Sequence, residues 1–335
     1  MIDPFGRKID YLRISVTDRC NLRCRYCMPP EGIPWKPSDE ILAYEEIVKF
    51  VTIAAQMGVR WVRLTGGEPL VRRDLPFLVA ALAGVPGIEE VTLTTNGILL
   101  EKFARSLADA GLKRVNVSLD TLDAEKFKRI TRGGEIDCVW QGIAAAEAAH
   151  LHPIKINTVV TRGVNDDELI ALANLAREHP WHVRFIELMP IGDSGDWGPG
   201  FHSATDRYLS VGEMREILSP LGFYPAKNPP GNGPAKSFEI PGGLGTIGFI
   251  SPLGEHFCDT CNRLRLTADG RLRPCLLSDL EIDIRDALRR KEPLEKLLLQ
   301  AISFKPRGHG LNRLSTANPQ SAERIPSRFM AQIGG

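Results

Sequence analysis

The chain has no surplus of charge: 42 Lys and Arg against 41 Asp and Glu leave a formal net charge of +1 over 335 residues. That argues against a broad nucleic-acid-binding surface, so any anion site has to be a local concentration of Arg and Lys. No run approaches the roughly eighteen apolar residues of a membrane span, and Met1 to Asp10 contain no apolar core of a secretory signal. The expected location is the cytoplasm, with neither nucleic acid nor membrane as a partner. An internal repeat is also missing. What remains is ordinary for a globular protein, with 43% hydrophobic and 25% charged residues, and long enough for about two domains.

Seven cysteines, an odd number without a secretory signal, do not make a disulfide framework. Six fall in two tight triplets. The seventh, Cys138, lies in the apolar helical stretch Ile136 to Ala149 and reads as buried filler. Cys20, Cys24 and Cys27 are spaced Cys-x-x-x-Cys-x-x-Cys with Tyr26 just before the last. Three thiolates this close can hold three irons of a cubane cluster and leave the fourth open to a small molecule, whereas four thiolates make an electron carrier. A zinc knuckle is the alternative, but zinc wants a fourth ligand, and no further Cys or His lies within ten residues. Cys258-x-x-Cys261 is followed by Cys275 after thirteen intervening residues. That is three-quarters of a zinc ribbon, for which His256 is a candidate fourth ligand. Arg263 and Arg265 follow at once and, on a strand, share a face. Two guanidiniums beside a metal centre make a polyanion clamp; a solvated basic strand is the ordinary alternative.

From Tyr11 onward short β-branched runs alternate with segments of helical period, the pattern of βαβ units around a parallel sheet. Strands are expected at Leu12 to Val16, Trp61 to Thr65, Val91 to Thr95, Val115 to Leu119, Ile154 to Val160 and Val183 to Leu188. Between them helices are expected at Tyr44 to Met57, Leu75 to Ala83, Leu99 to Ala110, Ala124 to Ile130, Cys138 to Ala149 and Asp167 to Arg177. Each strand ends in polar or glycine-rich residues, such as Gly66-Gly67-Glu68-Pro69 and Thr95-Asn96-Gly97, and parallel barrels carry their active sites at that face. Six units are too few for a closed eight-stranded barrel. The expected fold is α/β, a partial, open six-unit TIM-type barrel with a lateral mouth. After Asp193 loops rich in Gly, Pro and Asp intervene, including Asn228 to Pro234, with a helix near Val211 to Leu218. A smaller C-terminal α+β domain is expected to close the mouth, dividing the chain into 1–225 and 226–335.

The first triplet resembles the signature of the radical S-adenosylmethionine enzymes. More specifically, Leu12-Arg13-Ile14-Ser15-Val16-Thr17-Asp18-Arg19-Cys20, the run from Cys258 through Arg263-Leu264-Arg265 to Gly270 with Cys275-Leu276, and the closing Gly334-Gly335 resemble the GTP 3′,8-cyclase family over nearly the whole chain. The resemblance implies a lyase that joins C8 of the guanine of GTP to C3′ of its own ribose in molybdenum cofactor biosynthesis. It also implies an external electron donor, a homodimer, and a cyclic pyranopterin monophosphate synthase that consumes the product. By the same resemblance Cys20, Cys24 and Cys27 hold the [4Fe–4S] cluster that cleaves S-adenosylmethionine, and Cys258, Cys261 and Cys275 hold a second one whose open iron contacts guanine. Tyr26, Gly67, Glu68, Ser118 and Met189 would form the adenosylmethionine pocket. GTP would be held by Arg13, Arg63, Thr94, Lys155, Arg263 and Arg265, the last also catalytic, with Arg184 a further candidate. The absence of GxxxxGK[ST] fits GTP as a substrate. The family's C-terminal tail threads back into the mouth. Two rivals stand beside this reading: a radical maturase for peptides or tRNA, and an iron–sulfur carrier without enzymatic activity.

Overall fold

Strand and helix alternate from Tyr11 to Glu187 as the two periodicities predict. The structure, a computed structural model, describes residues 1–192, 203–227, 233–309 and 327–334; Gly335 and most of the glycine- and proline-rich loops expected after Asp193 lie outside the described residues. Strands β1 (Tyr11–Ser15), β2 (Trp61–Thr65), β3 (Glu90–Thr95), β4 (Arg114–Ser118), β5 (Lys155–Val160) and β6 (His182–Glu187) are parallel neighbours in chain order. Helices α1 (Tyr44–Gln56), α2 (Leu75–Ala83), α3 (Leu100–Asp109), α4 (Ala124–Thr131), α5 (Ile136–Ala148) and α6 (Leu169–Glu178) connect them. On α3 the buried Leu100, Ala104 and Leu107 recur at helical spacing and face the sheet. Gly58 and Gly111 stand two residues past the ends of α1 and α3 at φ +105° and +97°, a left-handed exit that other residues take at a cost.

The strands are apolar on one side only. Leu12, Ile14, Val62, Leu64, Leu93, Val115, Val117 and Ile156 are buried with the helices in one hydrophobic core. Alternate positions carry Arg13, Arg63, Thr94, Asn116, Asn157 and Arg184, which line a cavity inside the curve of the sheet. A complete TIM barrel fills that space with branched apolar side chains. Here it is left to polar ones, which requires something polar to meet them.

The C-terminal region continues the same sheet. After α7 (Val211–Leu218) come β7 (Tyr224–Pro225), β8 (Lys236–Glu239), β9 (Thr246–Ile250), β10 (Arg263–Leu266), β11 (Arg271–Arg273) and β12 (Ile282–Asp283). Strand β9 runs parallel to β6 and β10 parallel to β1, so each edge of the six-strand core gains a parallel strand from the C-terminal region. The full order is β12-β11-β10-β1-β2-β3-β4-β5-β6-β9-β8-β7. The boundary expected between 225 and 226 falls at the end of β7, an edge strand of the same sheet. Helices α8 (Ile284–Arg290) and α9 (Leu294–Ser303) pack on α1, and the short α10 (Met330–Ile333) lies at the chain's end. Among the described residues no helix is long and apolar enough to cross a membrane.

Candidate active site

The loop after β1 turns tightly about the first triplet, with the amides of Cys27 and Met28 donating to the Cys24 carbonyl at 2.9 and 3.2 Å. Arg23 donates from Nη1 to the carbonyls of Cys20 and Leu22, and Arg132 donates to those of Arg23 and Met28. Burial, with the neighbouring thiols and carboxylates, pushes Cys20 to about 11 and Cys27 to about 12, and Cys24 well above the ordinary thiol range. Three buried thiols that repel one another's charge are poor thiolates until a cationic group lies among them; a metal cluster supplies one. Among the described residues no three His, Cys, Asp or Glu side chains converge as ligands of a single ion. A cluster that takes each thiol on a different iron does not need the three to converge on one ion.

Gly66 and Gly67 follow β2. A Cβ on Gly67 would meet the Arg19 carbonyl oxygen at 2.4 Å, and one on Gly66 that of Thr17 at 2.8 Å. The glycines thus let two loops close on each other, with the Gly67 and Glu68 amides donating to Thr17 and Arg19 at 2.8 Å. Glu68, 1% exposed, accepts from the amides of Leu70 and Asn96 and from Thr95 Oγ1. Burial lifts its carboxyl to about 7. Tyr26 donates its hydroxyl to Asp120 Oδ2 at 2.7 Å. Ser118 and Met189 stand at the strand ends opposite, lining the same cavity.

Across the sheet Arg265, Arg13 and Arg63 are direct register neighbours on β10, β1 and β2. Burial lowers the pKa of Arg13 well below the guanidinium range, and Arg265 and Arg63 lower it further; Arg184 falls to about 9 for like reasons. Lys155, at the start of β5, is 2% exposed and does not line the cavity, unlike every other site residue expected from the sequence. Burial and the charges of Arg184, Arg114 and Arg63 take it down to about 5. Positive charge packed this densely is unfavourable without an anion to neutralise it.

Cys258, Cys261 and Cys275 open into the same cavity as the first triplet. Arg7, held by Asp3 at 2.6 Å, donates to the Cys258 carbonyl at 2.7 Å. Lys305 donates to the carbonyls of Arg263 and Pro274 at 2.7 and 2.8 Å and to the Cys261 thiol. Burial would raise Cys261, but Arg263 and Lys305 outweigh it and bring the thiol to about 7. His256 is exposed and stacks edge-on with His309; it joins no metal-binding group among the described residues.

The chain's end closes this space. Arg328 grips Asp269 with two hydrogen bonds at 3.0 and 2.9 Å and reaches Glu281 at 2.8 Å. The Ala331 amide donates to the Cys27 thiol, and Arg265 Nη1 donates to the Gly334 carbonyl at 2.7 Å. A Cβ on Gly334 would meet Thr65 Oγ1 at 2.4 Å, so a side chain does not fit where the tail passes.

The sequence reading passed over Asn116, Asn157, Arg7 and Lys305. The two asparagines alternate with apolar residues in Arg114-Val115-Asn116-Val117-Ser118 and Ile156-Asn157, a signal that was available; Arg7 and Lys305 lie too far along the chain from the cysteines to be paired with them.

Residues 14–176 match the profile of the Radical SAM superfamily, and residues 181–311 that of Molybdenum Cofactor Synthesis C. The chain is 51% identical to the GTP 3′,8-cyclase of Moorella thermoacetica over the full length of both. It is 52% identical to that of Pelotomaculum thermopropionicum, covering 92% of this chain and 95% of the relative, and 44% identical to that of Listeria monocytogenes, covering 99% and 98%. Among solved structures, Streptococcus suis SuiB bound to S-adenosylmethionine superposes with a TM-score of 0.61 at 16% identity, over 85% of this chain and 66% of that one. The enzyme anSMEcpe with bound AdoMet gives 0.57 at 17%, over 84% and 77%. At such identities these likenesses establish the fold.

Proposed function

Because the chain belongs to the GTP 3′,8-cyclase family, we propose that it cyclises GTP to (8S)-3′,8-cyclo-7,8-dihydroguanosine 5′-triphosphate as a radical S-adenosylmethionine lyase of molybdenum cofactor biosynthesis. The observation that carries this reading is the opening of both cysteine triplets, with Arg13, Arg63, Arg263 and Arg265, into one cavity. Cys20, Cys24 and Cys27 would hold a [4Fe–4S] cluster, which would supply the electron for reductive cleavage of S-adenosylmethionine. Tyr26, Gly67, Glu68, Ser118 and Met189 surround the space next to that triplet. Glu68 fixes its own loop through the Leu70 amide and ties it to the end of β3 through Thr95 Oγ1 and the Asn96 amide, so its part is to hold the pocket's shape.

A second [4Fe–4S] cluster fits Cys258, Cys261 and Cys275, beside which Arg263 and Arg265 are set to orient a polyanionic nucleotide. Arg13, Arg63 and Thr94, with Lys155 behind them, complete its cradle; each charge-assisted contact contributes roughly 1.5 to 3 kcal/mol, ample for tight binding after the entropic cost of association. The tail excludes water above the substrate by filling the mouth. On this reading residues 1–225 carry the first cluster and 226–335 the second cluster and the tail, both contributing to the substrate cradle, with an external reductant, a homodimer and a downstream cyclic pyranopterin monophosphate synthase as partners.

Protein reconstituted without oxygen is expected to bind two four-iron clusters and, with reductant, S-adenosylmethionine and GTP, to yield a product of the mass of GTP that is chromatographically distinct from it. Iron for a single cluster would refute the two-site assignment, and unchanged GTP alongside 5′-deoxyadenosine would refute the substrate.

A further inference from the structure

Three neighbouring strands show the same order of side chains along their inward faces. On β4 it runs Arg114, Asn116, Ser118; on β5, Lys155, Asn157, Val159; on β3, Thr92, Thr94 and, just beyond the strand, Asn96. The first member of each lies among the cations: Arg114 and Arg63 both act on Lys155, and Arg63 Nε donates to Thr92 Oγ1 at 3.2 Å. The last lies at the first cysteine loop, where the Asn96 amide approaches Cys20 Sγ at 4.0 Å and Asn21 Oδ1 at 2.8 Å. Between them is a neutral belt of amide and hydroxyl groups.

That belt is unsatisfied. Asn116 is 0% exposed, yet neither its Nδ2 nor its Oδ1 has a hydrogen-bond partner, so turning the amide over does not help. Asn157 Oδ1 and Thr94 Oγ1 are buried without partners in the same way, and all three residues line the cavity. An orphaned buried amide is costly because it has given up its water without a replacement, and a leucine in its place would cost nothing of the kind. A neutral amide is a poor phosphate ligand beside so many cations, but it offers a donor and an acceptor together, as a sugar hydroxyl does.

We propose that Asn116, supported by Asn157 and Thr94, recognises the vicinal ribose hydroxyls of the GTP substrate. The inference rests on the GTP reading above. S-adenosylmethionine carries a ribose of its own, but Asn116 lies two residues, about 7 Å at 3.3 Å each, deeper than Ser118 and equally far above Arg114. A nucleotide whose phosphates reach the basic end sets its ribose at that depth. The belt then makes the ribose a determinant of specificity and holds C3′ below the adenosyl group.

The test is equilibrium binding of GTP, 2′-deoxy-GTP, 3′-deoxy-GTP and S-adenosylmethionine to the anaerobic holoenzyme and to its Asn116→Ala and Asn157→Ala variants. The holoenzyme is expected to prefer GTP to at least one deoxy analogue by about tenfold. Asn116→Ala should weaken GTP by that factor, leave the disfavoured analogue unchanged and so erase the preference, with Asn157→Ala doing the same to a smaller degree. Adenosylmethionine affinity should not change, and the thermal midpoint of the nucleotide-free variant should not fall. Equal weakening of GTP and both analogues, or weaker adenosylmethionine with GTP untouched, overturns the proposal. A holoenzyme that binds no GTP sinks the functional reading itself, whereas one that binds GTP and keeps its discrimination in Asn116→Ala sinks this inference alone.

Discussion

Cys20, Cys24 and Cys27 lie near Glu68, Asp120 and the Tyr26 hydroxyl, with Arg23 as the nearby cation, whereas Cys258, Cys261 and Cys275 lie beside Arg7, Arg263 and Lys305. Burial, with a lesser push from the carboxylates, drives Cys20 and Cys27 up to about 11 and 12; burial also raises Cys258, but Arg263 and Lys305 bring Cys261 down to about 7. Net charge, hydrogen bonds to sulfur and exposure set the potential of an iron–sulfur centre. On the proposed reading, acidic, low-dielectric company would make a cluster on the first triplet hard to reduce and its electron energetic, as cleaving a carbon–sulfur bond demands. Cationic company would make a second cluster on Cys258, Cys261 and Cys275 a better acceptor and a better seat for a negatively charged ligand. Two triplets with equal thiolate counts are thus set apart by the residues around the cysteines, as the proposed division of tasks requires.

The largest break in this comparison comes from removing a thiolate on each side. Cys24→Ser should abolish 5′-deoxyadenosine entirely, while Cys261→Ser should keep adenosylmethionine cleavage and lose the nucleotide product. Iron content of each variant should halve. Identical failure of both, with no cleavage in either, would mean that the triplets do not divide the work.

The cationic side extends down to Lys155, and there a pH effect follows. With its pKa near 5 in the nucleotide-free protein, set by burial and by Arg184, Arg114 and Arg63, Lys155 carries no proton at pH 7. The unfolded chain does, so Lys155 makes stability rise with pH between about 5 and the ordinary lysine value. A triphosphate restores the charged form. GTP binding should then take up a proton and weaken as pH rises, by up to about tenfold per unit. Lys155→Met should raise the thermal midpoint of the nucleotide-free protein, weaken GTP by roughly ten- to a hundredfold, and reduce the protons taken up in calorimetry across two buffers. An unchanged proton count in Lys155→Met removes Lys155 from the nucleotide site.

The six core strands and their helices were legible because period two and period 3.6 are local properties, and the cysteine spacing fixed both triplets. The edges of the sheet were not: β9 and β10 reach β6 and β1 by pairings across much of the chain, so the C-terminal region read as a separate domain. The packing that requires a glycine at position 67 was not legible either. A Cβ there would strike the Arg19 carbonyl, a contact between two loops that the order of residues along the chain does not reveal. Arg13 and Arg63 stood out in the sequence because a charge in a strand asks for explanation, while an asparagine does not. Only the structure, by leaving both amide atoms of Asn116 without partners, made it conspicuous.

The subtlest test of the comparison lies at Lys305, 3% exposed, whose ammonium joins the Arg263 and Pro274 carbonyls and donates to the Cys261 thiol. A positive charge and a hydrogen bond to a ligating sulfur both favour the reduced cluster. Lys305→Met keeps length and removes both. At roughly 1.5 to 3 kcal/mol for a charge-assisted bond, and with about 59 mV for each tenfold in a one-electron couple, the second centre should fall by on the order of 60 to 130 mV. Measured in a Cys24→Ser background, where only that centre remains, the shift is free of the first. The converse pair, Cys261→Ser with and without Lys305→Met, should show no shift at the first centre. If the second centre's potential does not move, the cations around it do not set its potential, and the contrast drawn between the triplets reduces to one of substrate charge alone.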